Sequence, residues 1–336
     1  MGAFKSFGNA IVNQFKYPKP YNWGYPIFYG SAGLAIALLL MKLLFSGALP
    51  FSSTSLIGCS VITLMIVMLA FVAPSFLLAE HGKLFITGKY TGVGALILSF
   101  LSGAPLYLIK ASFHNLTVAA WLKGGGSVVF PAVFYQFDQV SGSTLLLEIL
   151  IDTVIPAFGF SLFFLGAVWQ GFSEDNKRWA FIIIPVLFAL FSYDFLDIPG
   201  ILVIGWWLCM VRSKAENIYG PILALIGSRI TGILIDSVVS EVDLTTIRVY
   251  SDLPNTIYYS SVPAIFVAVI LLAFFRKTLG EFHFAYSADI YGDDEKTEEK
   301  DGVQAESFWT GINLTLFLGL VICIVFWFLL FKGIRL

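Results

Sequence analysis

Nine long runs of apolar residues divide this chain, and they constrain its fold more than any other feature. They lie at about 25–46, 56–79, 92–109, 145–171, 179–193, 199–211, 220–239, 259–275 and 307–331. A helical bilayer span takes roughly 20 predominantly apolar residues. The fifth and sixth runs are short and parted by YDFLDIP, so they read as two spans or as one broken helical pair. Apolar residues make up 58% of the 336 and charged residues only 12%, whereas a soluble domain carries about a quarter charged residues. The expected fold class is therefore all-α: a polytopic helical membrane bundle of about eight or nine transmembrane helices. A secreted disulfide scaffold, a nucleic-acid binder and a soluble two-domain enzyme are excluded.

Lysine and arginine set the expected orientation. With the N-terminus inside, thirteen of them fall in inner segments (Lys5 to Lys300) and six in outer ones, with Arg229 apart inside a span. This predicts a multi-pass cell-membrane protein with a cytoplasmic N-terminus. The first twenty residues hold Lys5, Lys16 and Lys19 but no apolar run before a small-residue site, so no cleavable signal is expected. Cys59, Cys209 and Cys323 all sit inside apolar runs and show no C-x-x-C spacing, so they read as small packing residues. Three stretches read as non-spanning: 110–143 as an outer loop with an interfacial part, 240–258 as a shorter outer loop, and 276–306 as an acidic inner loop.

Polar groups at membrane depth are costly and mark candidate functional positions. Glu148 and Asp152 are spaced i, i+4 on one helix face, and Arg229 and Asp236 share a face of the seventh span. These four form a candidate intramembrane polar network, with Arg229 pairing a carboxylate of the fourth span or Asp236. Asp194 and Asp197, three apart at the break between the fifth and sixth spans, read as helix-end and water-contact residues beside Pro199. No G-x-x-x-x-G-K-[ST] or G-x-G-x-x-G occurs.

A more specific pattern begins at Pro156. The stretch Pro156-Ala157-Phe158-Gly159-Phe160-Ser161-Leu162-Phe163-Phe164-Leu165-Gly166 keeps the frame of P-A-x-x-E-E-x-x-F-R-G at Pro156, Ala157, Phe164 and Gly166. A second motif, F-x-x-x-H, falls on Phe188 to Ser192, and a third, P-I-x-x-H-x-x-x-N, falls on Pro221, Ile222, Leu225 and Arg229. In this order, over about 92–236, the sequence resembles the CPBP family of CAAX prenyl endopeptidases and bacteriocin-processing-type intramembrane metalloproteases. The resemblance implies a helical core in which glutamates and histidines hold a metal-bound water within the membrane. It divides the chain into N-terminal spans (1–91), a CPBP-like core (92–239) and a C-terminal extension with two spans and the acidic loop (240–336).

The departures bear on the chemistry. Phe160 and Ser161 stand at the two glutamate positions, Leu165 at the arginine, Ser192 and Leu225 at the two histidines, and Arg229 at the asparagine. A catalytic metal site needs about three protein ligands and a bound water, and this set offers two hydroxyls and a guanidinium. His81, His114 and His283 are expected in three separate loops. No metal, no cofactor and no catalytic residue is therefore expected. The expected function is that of a catalytically inactive CPBP-like membrane protein. It would use an apolar groove (Phe160, Leu165, Leu225, with Arg229 near its floor) to bind a membrane-protein or lipidated-peptide partner, with the lipid bilayer around it and no nucleic acid. Two alternatives stay open: an active CPBP-type endopeptidase with an atypical site, and a transporter or permease component.

Overall fold

The computed structural model describes residues 22–45, 56–82, 92–125, 149–172, 176–193, 195–238, 256–290 and 308–332. No β-strand occurs among them, and the chain is a helical bundle. The first expected span is α1 (Gly24–Phe45). The second is a column in which α2 (Leu56–Ile66) passes through a π-helical stretch (Val67–Val72) into α3 (Ala73–Gly82). The third is α4 (Val93–Leu101), followed after Ser102 by α5 (Gly103–Lys123). The fourth alternates between two helical pitches: a π stretch (Leu150–Val154), α6 (Ile155–Phe160), then a second π stretch (Ser161–Val168). The rest are α7 (Lys177–Ser192), α8 (Ile198–Ala215), α9 (Tyr219–Val238), α10 (Thr256–Ile290) and α11 (Leu314–Lys332).

Among the described residues, four stretches are long and apolar enough to cross a membrane: Ser60–Leu78, Val93–Lys123, Ile198–Ala215 and Tyr259–Glu281. The short fifth and sixth runs are two separate helices, α7 and α8. Their break is set by Tyr193, whose left-handed φ of 54° closes α7, and by Pro199 in the first turn of α8, where proline's missing N–H costs no hydrogen bond.

Two expected loops are corrected. Residues 110–123, read as outer loop, continue α5: Lys110, His114 and Asn115 break the hydropathy but not the helix. Residues 276–290, read as the start of the acidic loop, continue α10. Gly124 and Gly125 form a turn after α5, and the rest of both loops lies outside the described residues.

Packing orders the helices around α8. It lies along α7, crosses α5, and touches α9 and α10. α10 rides mainly on α5, and α11 on α1. Close crossings use glycine, as is common where helices associate in lipid. A Cβ on Gly205 of α8 would lie 2.8 Å from Pro185 Cα of α7. Where α5 meets α9, a Cβ on Gly103 would run into the Gly227 and Ser228 backbone.

Candidate functional site

The fourth column carries the first motif, and its pitch changes at Ser161. A π stretch adds a residue to the turn and turns the side chains after it by a different step, a device frequent at functional sites. Here it lays Phe160, Ser161, Phe164 and Leu165 against one small cavity. α7 adds Ile184 and Phe188, α8 adds Gly205 and Leu208, and α9 adds Leu225. The positions of both motif glutamates, the motif arginine and the second histidine thus share one wall.

The remaining expected positions lie outside the lining. Ser192 is one turn past Phe188, with its Oγ donating to the Ala189 carbonyl at 2.7 Å. Arg229 is one turn past Leu225, partly buried, with interactions of its own. Of the expected polar network, Glu148 and the side chains of Asp152 and Asp236 lie outside the described residues.

The space beside these residues is occupied by rings. Phe71, from the π stretch of the second column, is fully buried. Its ring centroid lies 4.7 Å from that of Phe160, 5.4 Å from Phe163, 5.9 Å from Phe164 and 6.0 Å from Phe191. Phe188 closes the cluster with edge contacts to Phe160 and Phe164, both at 5.4 Å. Such tilted and edge arrangements are the favourable ones for aromatic pairs. What is left of the cavity measures about 10 Å³ by the positions a water centre can take, about the room one water needs.

The one polar side chain in the lining is Ser161. It is 1% exposed, and its Oγ has no hydrogen-bond partner among the described residues. Ser31, Ser75 and Ser99 instead bond back to the carbonyl four residues earlier. A metal held by glutamates and histidines does not fit this wall: Phe160, Phe188 and Leu225 have no donor atom, and one neutral hydroxyl is a weak ligand. Among the described residues, no three His, Cys, Asp or Glu side chains are grouped to share an ion.

A charged cluster that the sequence reading missed lies elsewhere. Lys110 and His114, one turn apart on α5, both reach Asp197 just ahead of α8: Lys110 Nζ is 3.0 Å from Oδ2, and His114 Nδ1 is 2.6 Å from Oδ1. Asp197 was expected to cap the helix and meet water. It is instead 8% exposed and its side chain makes no cap hydrogen bond. Burial pushes its carboxyl up, but the Lys110 cation and the His114 hydrogen bond outweigh that and hold it down at about 2. His114, expected in a loop, therefore works from a helix. The signal was present in the i, i+4 spacing of Lys110 and His114, which puts both on one face.

Comparison with known proteins bears on the cavity segment. Residues 142–228 match the family model described as Rce1-like, Type II CAAX prenyl endopeptidase Rce1-like. The match is narrower than the 92–236 resemblance and ends one residue before Arg229. No curated protein and no solved structure matches the chain. The match takes in the first two motif segments, the third up to Ser228, and every residue that lines the cavity, so this segment of the helical bundle is similar to the Rce1-like CAAX prenyl endopeptidases.

Proposed function

We propose that the chain is a catalytically inactive Rce1-like membrane protein that binds a partner rather than cutting one. What supports the reading is one observation: the motif positions that share a wall carry Phe160, Ser161, Leu165 and Leu225 against a cluster of phenylalanine rings. An endopeptidase of the metal type needs ionisable ligands and a base at that wall, and a serine nucleophile needs a base within hydrogen-bond reach. Ser161 has no hydrogen-bond partner among the described residues.

The cavity is too small for a prenyl chain or a peptide, so the partner engages its mouth, where Phe160, Phe188 and Leu225 are only partly buried. The partner is a membrane protein or a lipidated peptide, both of which present apolar surface at that depth. Binding of a fluorescent farnesylated CAAX-type peptide to the detergent-purified chain tests this, with product analysis by mass spectrometry. The account expects saturable binding, weakened by Phe188→Ala, with the peptide recovered whole. Cleavage would restore the endopeptidase reading. Absence of binding would remove the lipidated-peptide partner.

A further inference from the structure

Arg212 is the one buried lysine or arginine among the described residues, at 4% exposure in the last turn of α8. Its Nε donates to the Leu165 carbonyl, within the second π stretch, at 3.0 Å. Guanidinium carries five N–H donors, and this is the one hydrogen bond Arg212 makes among the described residues. Its two Nη groups therefore offer a fork that no acceptor among the described residues uses. Glu216, one turn on, attracts the guanidinium without coming into ion-pair contact.

Other cations gather at this end. α7 and α8 run antiparallel, which brings Lys177 and Arg178 in the first turn of α7 beside the end of α8. Lys214 Nζ reaches α10 at Gly280, 3.9 Å from where a Cβ would stand, near the exposed Arg276 and Lys277. The anions described here are Glu216 and Glu281, and Glu281 is already 3.9 Å from Lys277. α8 has 18 residues, about 27 Å at the helical rise. That is close to the roughly 30 Å hydrocarbon thickness, so its last turn reaches headgroup level.

We propose that this end of the bundle binds the phosphate of an anionic phospholipid headgroup, with the Nη fork of Arg212 as its bidentate donor. Arginine matches two phosphate oxygens in one plane. The site is separate from the mouth of the cavity, so it stands or falls independently of the partner-binding reading.

The test uses the full chain in dodecyl maltoside, read by native mass spectrometry and thermal shift. The probes are dioleoylphosphatidylglycerol, dioleoylphosphatidylcholine and inorganic phosphate. The expected result is retention of phosphatidylglycerol and a raised Tm, with neither from phosphatidylcholine or phosphate. Arg212→Gln should weaken retention on the order of tenfold, Arg212→Lys less, and Glu216→Gln should strengthen it by removing the competing carboxylate. Unchanged retention in Arg212→Gln overturns the proposal, as does equal retention of the two lipids. Equal stabilisation by inorganic phosphate replaces the lipid site with a free oxyanion site. If Arg212→Gln does not fold, Glu216→Gln decides: unchanged phosphatidylglycerol affinity overturns the proposal.

Discussion

Phe164 shows what has happened at the cavity. Its ring meets Phe71, Phe160, Phe163, Phe188 and Phe191, and it is 1% exposed. Between helices in lipid the transfer term largely vanishes and packing remains. Phe164→Ala should therefore cost mainly its cavity term, roughly 2–3 kcal/mol at about 24 cal/mol per Å³. Denaturant titration in detergent micelles measures that loss. Ser161→Ala should run the other way, neutral or stabilising by about 1 kcal/mol, because it removes a buried hydroxyl with no hydrogen-bond partner among the described residues. A marked loss of stability in Ser161→Ala would mean that the hydroxyl is bonded in the working protein. Four of the six residues named from the motifs, Phe160, Ser161, Leu165 and Leu225, line the cavity. The ring cluster was not legible in the sequence, because Phe71 comes from a span outside the motifs and its place depends on how two π stretches meet.

At the scale of elements, the junction between α7 and α8 is held from outside by α5. Lys110 and His114 grip Asp197, Trp121 meets Phe195 edge-on at 4.9 Å, and Gly200 lets α8 start against Lys110. Asp197→Asn should lower stability by about 1.5–3 kcal/mol, the range for hydrogen bonds to charged groups. The pH dependence has a definite sign. A carboxyl held at about 2 in the fold, against about 3.9 when exposed, adds stability that is full above about pH 4 and lost as pH falls toward 2. Acid titration of the wild-type protein against Asp197→Asn should show that difference shrinking over this window. Gly205→Leu should part α7 from α8, since the 2.8 Å approach to Pro185 is backbone and cannot yield. Loss of a monodisperse peak on size exclusion would register it. The helices themselves were legible wherever apolar runs were unbroken. α5 beyond Ile109 and α10 beyond Phe275 were not, because helices continue through charge when a neighbour or solvent receives it, and hydropathy alone ends them too soon.

For the whole molecule, the segment similar to the Rce1-like family model runs from the fourth column into α9 and carries the whole cavity wall, which is apolar apart from Ser161. The count of spans and the place of the motifs came from one-dimensional pattern. Asp197 as the shared partner of Lys110 and His114, and the burial of Arg212 against Leu165, came only from helix packing. The most direct measurement is zinc content of the detergent-purified full chain, made by inductively coupled plasma mass spectrometry after exposure to a slight excess of zinc and desalting. The account predicts less than roughly a tenth of a zinc per chain, because a wall with one hydroxyl lacks the three ligands a catalytic site uses. One zinc per chain, lost when Ser161 is changed to alanine, would contradict it and return the cavity to the metalloproteases.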